Sequence, residues 1–222
     1  MSRKKEWISV IATFIGSMVA CLGVRFFSFY VLMSIPLIPR MAVMIISYWL
    51  IALPSIIAMI ICKDRLKDFG FIKEKLPLQI LIGVGIGVVM SLVLTLIPHL
   101  AGFGEYVDSG NRYKYAWQFI YEFVYCIIAV GAVEEFVFRG FIYEKFKRIS
   151  NKEFVALIVS SAMFGFFHIF TGNIIQVFLT GLIGAFFCFC RLKIKNCTTV
   201  SLVIAHGVYD ALITVWASVF LA

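Results

Sequence analysis

Six ionisable residues stand where the surrounding sequence is apolar: Glu134, Glu135 and Arg139 in the stretch Glu134-Glu135-Phe136-Val137-Phe138-Arg139, His168, and His206 with Asp210. Charges in such surroundings cost a few kcal/mol each on insertion scales and usually mark a working site. Helical spacing sorts them. Glu135 and Arg139 are four residues apart, so they share a face and can pair. Glu134 is rotated about 100° from Glu135 at roughly 3.6 residues per turn. It therefore faces a different neighbour and stays available for chemistry. His206 and Asp210 share a face, and Phe164 can wall one side of the His168 ring.

A carboxylate, two imidazoles and a further carboxylate suit two chemistries. In the first, Glu134 takes a proton from water with help from His168, while His206 and Asp210 stabilise an oxyanion. An ionised Asp210 alone would repel that charge, so either Asp210 or His206 must carry a proton. In the second, His168, His206 and a carboxylate ligate zinc, and the metal activates the water. The H-E-x-x-H spacing is absent. A role confined to holding a bundle together is the alternative to both, and six such residues in three segments argue against it.

Such residues need elements that hold them at depth. Of the 222 residues, 62% are hydrophobic and 14% charged, with a mean hydropathy of +1.00. Soluble domains are nearer half apolar and about a quarter charged. Apolar runs of about 20 residues recur, the length that a bilayer core of roughly 30 Å demands. They predict an all-α, polytopic transmembrane helix bundle of about seven spans: 7–35, 41–62, 77–97, 117–143, 154–170, 174–190 and 199–221. The chain reads as a single integral membrane domain over 1–222, without a convincing internal repeat. The first span has a basic flank, but its apolar run is too long for a signal peptide and no cleavage site follows, so it reads as a signal anchor. Arg25 interrupts it. Either the helix is long and tilted, or it ends near Arg25 and a partly embedded segment leads to Pro36 and Pro39.

Basic residues set the expected direction. With the N-terminus cytoplasmic, fifteen of the twenty Lys and Arg fall inside, three (Arg40, Arg112, Lys114) outside, and two, Arg25 and Arg139, within spans. The C-terminus is then outside and the protein sits in the cell membrane. The net charge of +8 lies at the ends of apolar segments, which argues against a nucleic-acid partner and leaves membrane lipid. The stretches 63–75 and 145–152 are expected to flank the inner mouth of the site and to meet anionic headgroups or a substrate's acidic end. At about 1.5 Å per residue, Glu134 lies roughly 14 Å, His206 roughly 10 Å, Asp210 roughly 16 Å and His168 roughly 21 Å from the inner ends of their spans. Four groups from three spans thus reach comparable depths, where convergence offsets their cost. The six cysteines show no zinc spacing and read as small buried hydrophobes. Gly83, Gly85 and Gly87 read as helix-packing residues.

The same residues resemble three motifs of one family. Glu134-Glu135-x-x-x-Arg139 resembles EExxxR, Phe164-Gly165-Phe166-Phe167-His168 resembles FxxxH, and His206-Gly207-Val208-Tyr209-Asp210 resembles HxxxN/D, in that order. The family is the CAAX-protease and bacteriocin-processing group (CPBP, or Abi) of intramembrane proteases. The loop Asp68-Phe69-Gly70-Phe71 also resembles a stretch common in it. The resemblance covers about 117–222, a family-like catalytic core; earlier spans match in hydropathy alone. It implies a glutamate-dependent endopeptidase whose site opens toward the cytoplasm and the lipid. Glu134 and His168 would activate water, Glu135 and Arg139 orient the site, and His206 and Asp210 form the oxyanion hole. Members are often labelled metalloproteases, and a metal-free mechanism is also argued. Asp210 in place of Asn keeps zinc open, with Glu134, His168, His206 and Asp210 as its ligands.

The short loops look more like the bacterial members, which process peptides and bacteriocins or confer self-immunity. The expected partner is a membrane-associated peptide or protein substrate. Two other classes compete. A non-catalytic immunity or scaffold protein of the same fold would be expected to lose Glu134 or a histidine, and none is lost. A small transporter would show inverted repeats or broken helices, and neither is evident in the sequence.

Overall fold

In a bilayer every backbone N–H and C=O must be satisfied within the protein, so uninterrupted apolar runs fold as helices. The computed structural model describes residues 3–107, 110–171 and 174–220 and is 88% helical. α1, Arg3–Tyr30, runs unbroken past Arg25, which favours the long-helix reading of that segment. α2, Leu37–Tyr48, begins behind Pro36 and leads through a tight turn at Trp49–Ile51 into α3, Leu53–Cys62. α4 covers Leu76–Phe103 and α5 Ala116–Ser150. α6 is Glu153–Phe167, α7 Ile174–Lys193 and α8 Thr199–Phe220. Leu221, the expected end of the last span, and Ala222, the expected end of the core, lie outside the described residues.

Six helical stretches are long and apolar enough to cross a membrane, and α2 with α3 makes a seventh as a bent pair. Rows of exposed apolar side chains mark faces that lipid satisfies: Ile8, Ile11, Ile15 and Val19 on α1, and Ile174, Phe178 and Leu182 on α7. This is a multi-pass membrane bundle.

The second span corrects the expectation of one unbroken helix over 41–62, and with it the view that no helix is broken. α2 and α3 meet at 46°. Pro54, in the first turn of α3, is the cause. It has no N–H to give to the Leu50 carbonyl, and its ring crowds that oxygen. α1 holds the bend. Ser17 Oγ donates to the Ile51 carbonyl at 2.8 Å, and Gly16 leaves room for the proline, since a Cβ there would stand 2.8 Å from Pro54 Cγ.

α5 is the central element, and residues 133–143 of it are all buried. It crosses α8 at two glycines. A Cβ on Gly131 would meet the Val203 carbonyl at 2.7 Å, and one on Gly207 would meet Ile127 Cα at 2.5 Å. This close approach brings His206 against α5. α4 packs along α8 in the same way, Gly83 and Gly87 facing the Ser201 and Ala205 carbonyls. Gly85 meets nothing within 4 Å, so two of the three glycines do the packing expected of them.

Toward the basic end of the bundle, Phe69, Phe136, Phe138 and Phe141 fill the interior. Phe69 comes from the turn Leu66–Phe69, which Gly70 ends at φ +82°. Thr199 Oγ1 donates to the Phe69 carbonyl at 2.7 Å and so locks this loop onto α8. Beyond lies an ionic cluster. Lys145 Nζ stands 2.8 Å from Glu6 Oε2 and 2.6 Å from Asp64 Oδ2, and Arg148 stands 2.6 Å from Asp64 Oδ1. Lys145 is fully buried. It does not meet lipid headgroups, as the reading of 145–152 expected; it ties α1 and the loop after α3 to the end of α5.

Candidate active site

Wide, π-type turns at Cys126–Gly131 and Phe136–Ile142 bracket the regular turn Ala132–Glu135 of α5. Such turns are frequent at functional sites. The bracketed turn aims its two glutamates at different neighbours, as their offset requires. Glu135 pairs with Arg139 at 3.0 Å, and neither side chain has exposed surface. The guanidinium also stacks over the Phe164 ring at 3.9 Å, a cation–π contact on α6. The Glu135 oxygen that meets Arg139 also stands 2.8 Å from His206 Nδ1.

Glu134 faces the other way. Its Oε1 accepts a hydrogen bond from Tyr48 Oη at 2.5 Å. Its Oε2 lies 3.9 Å from His168 Nε2 and 3.8 Å from His206 Nε2. This Oε2 is buried and has no hydrogen-bond partner among the described residues. Asp210 Oδ2 stands 3.4 Å from His206 Nε2. His168 is placed at the C-terminal end of α6, in the tight turn after Phe167, rather than inside the regular helix. Its Nδ1 lies 2.9 Å from the Phe164 carbonyl, and the Phe164 ring flanks it at 4.8 Å. Donation from Nδ1–H to that carbonyl leaves Nε2 as an acceptor facing Glu134.

Glu134, Glu135, Arg139, His168, His206 and Asp210, which the sequence scatters over 77 positions, thus meet at one point in the bundle. The Glu134 side chain is 3% exposed, whereas His168 is 19% and Asp210 29% exposed. The open edge of the cluster belongs to the last two.

Sequence reasoning missed Tyr48, which lies 86 residues from its partner. The available signal was a tyrosine inside an apolar run, six residues before Pro54. It also missed Glu122, which accepts hydrogen bonds from Tyr113 Oη at 2.9 Å and Thr214 Oγ1 at 3.0 Å nearer the start of α5.

The zinc alternative can be set against the donor geometry. Two atoms each about 2.0–2.2 Å from one tetrahedral zinc lie about 3.3–3.6 Å apart. Glu134 Oε2 is farther than that from both histidine nitrogens, at 3.9 and 3.8 Å. Among the described residues no three His, Cys, Asp or Glu side chains are arranged to hold a metal ion. As placed, these side chains do not form a zinc-binding set.

The bundle thus gathers carboxylates and imidazoles in its interior. Residues 116–212 match the family described as Rce1-like, type II CAAX prenyl endopeptidase Rce1-like. The resemblance to the CAAX-protease group read from the three motifs therefore holds, and all three motifs lie within the matched stretch. The match supports a CAAX-type protease. No curated protein and no solved structure matches the chain.

Proposed function

We propose that this protein is a glutamate-dependent intramembrane endopeptidase that hydrolyses a peptide bond of a membrane-associated peptide or protein. The observation that carries this reading is the approach of Glu134 Oε2 to the two histidine nitrogens, at 3.9 and 3.8 Å. A water about 2.8 Å from both Oε2 and His168 Nε2 would see them at about 90°. That is near the angle between its own two O–H bonds. It can donate one hydrogen to each and keep a lone pair for the scissile carbonyl carbon. As that C–O bond forms, Glu134 takes the proton. The proton then passes to the departing amine as the C–N bond breaks, and Glu134 is again a carboxylate.

His206 supplies the oxyanion donor in this scheme. Its Nδ1 hydrogen goes to Glu135, so its Nε2 can donate only when the ring carries both protons. Glu135 and Asp210 flank the ring at 2.8 and 3.4 Å and balance that positive charge. Arg139 acts through Glu135, which it holds in place. The substrate reaches the site from the lipid, past His168 and Asp210, and the basic end of the bundle faces the cytoplasm.

The test is cleavage of fluorogenic membrane-embedded peptides, prenylated and unprenylated, by purified protein in lipid. Glu134→Gln keeps the shape and removes the base. Cleavage by the wild type that disappears in Glu134→Gln, and persists with a chelator, supports the scheme as written. Equal cleavage by both proteins would remove Glu134 from its role. Loss with the chelator would make the metal part of the reaction.

A further inference from the structure

We infer that Tyr48 is a positioning residue of this site: its hydroxyl, delivered by the break between α2 and α3, fixes Glu134 Oε1 and so makes Oε2 the oxygen that works. The inference rests on Glu134 being the base. A glutamate carboxylate turns about a broad, roughly two-fold torsion. Unrestrained, it presents either oxygen, or neither, to the histidines. A phenol that donates to Oε1 at 2.5 Å removes that freedom. A hydroxyl that donates to a carboxylate makes a charge-assisted bond, roughly twice as strong as a neutral one.

The fold is arranged to deliver this hydroxyl. Tyr48 ends α2, immediately before the turn at Trp49–Ile51. α2 packs against the wide turn Cys126–Gly131 of α5, and α3 packs mainly against α1 and also touches the turn Phe136–Ile142 of α5. The bend at Pro54 lets the two segments meet different turns of α5, and Gly16 with Ser17 of α1 accommodates it. The Tyr48 ring is itself seated edge-on against Tyr125 of α5, with centroids 6.2 Å apart and planes at 75°. Tyr125 in turn stacks on Tyr121 at 6.0 Å. The donor therefore comes from a rigid aromatic row rather than a free side chain. On the Oε2 side stand the two histidines, with Asp210 against His206, and in the proposed scheme they carry the chemistry; Cys21 and Tyr125 also lie near the carboxylate.

Tyr48→Phe keeps the ring and its contact with Tyr125 and removes only the hydroxyl. Misplacement of a reacting group by about 1 Å costs on the order of 100-fold. The expected result is a kcat lowered about 10- to 100-fold, a KM within about twofold of wild type, and a melting temperature lowered only by the loss of one buried hydrogen bond. In the Glu134→Gln background the same substitution should have no further effect, because the two residues act as one unit. A second measurement needs no substrate. The infrared band of the carboxylate that vanishes in Glu134→Gln should shift in Tyr48→Phe. An unchanged kcat, a change confined to KM, or an unmoved band would each overturn the inference. Failure of the base assignment would be seen separately, as equal cleavage by wild type and Glu134→Gln.

Discussion

Arg139→Met isolates a buried negative charge and so measures how the site is held. Glu135 and Arg139 have no exposed surface and stand 3.0 Å apart. Removing one partner of a buried pair costs about 3–5 kcal/mol, and His206, 2.8 Å from Glu135, then compensates the remaining charge only in part. The guanidinium also gives up its stack over Phe164 at 3.9 Å, worth about 1–2 kcal/mol when desolvated. Glu135→Gln strands the arginine instead and should cost about 3–5 kcal/mol by the same reasoning. The two losses should not add. With both charges gone, the double variant is expected within about 2 kcal/mol of wild type, a coupling of about 4 kcal/mol or more between the positions. The glutamine still accepts from His206 Nδ1, so the ring stays in place. Its positive form loses a carboxylate, however, and cleavage should stay low. The assay is equilibrium unfolding of each variant in mixed micelles, read beside peptide cleavage. Additive losses, or a single variant costing under about 1 kcal/mol, would refute the claim that this pair holds the site.

Two further outcomes follow from packing and charge at other points. Burial alone would raise the Asp64 carboxyl, but hydrogen bonds from Lys145 and Arg148 outweigh it and hold the group below its usual 3.8. Its contribution is therefore complete above about pH 4 and fades as the pH falls through the lowered folded value. The gap in melting temperature between wild type and Asp64→Asn should narrow over that acid range, and a constant gap would contradict the assignment. Gly83→Val and Gly87→Val should each destabilise the bundle by about 1–3 kcal/mol through overpacking against α8. Gly85→Val, which meets open space, should leave the melting temperature unchanged; thermal unfolding in lipid separates the three.

Interactions within one helix were legible in the sequence, and those between helices were not. Glu135 with Arg139, His206 with Asp210 and Phe164 with His168 are neighbours because the helical period makes them so. The bond of His206 to Glu135 spans 71 positions. It depends on how closely α8 crosses α5, which Gly131 and Gly207 decide jointly. Hydropathy could not distinguish a small residue at that crossing from one facing lipid. Pro54 was visible, yet proline is tolerated in the first turn of a helix, so its position alone did not announce a break. Lys145 was read as a loop charge because the apolar run ends near Tyr143, whereas α5 continues to Ser150 and takes the lysine into the protein.

That continuation joins two polar layers that look separate in the sequence. The Arg139 carbonyl lies in the wide turn Phe136–Ile142 and accepts a hydrogen bond from Arg191 Nη1 at 2.6 Å. A buried carbonyl must find a partner wherever the helical ladder widens, and here the partner is a charged side chain from α7. Arg191 in turn pairs with Glu144, one residue before Lys145 on α5. The side chain of Arg139 thus fixes Glu135 and His206, while its backbone is fixed from the basic end. Buried charges are tolerated when each is paired and hydrogen-bonded. In this bundle the pairing forms two groups that meet on α5: Asp64 and Glu6 with Lys145, and Glu144 with Arg191, which also holds the Arg139 carbonyl. The charges that flank the bilayer and the charges that would do chemistry within it are therefore parts of one scaffold, and α5 is the element that carries both.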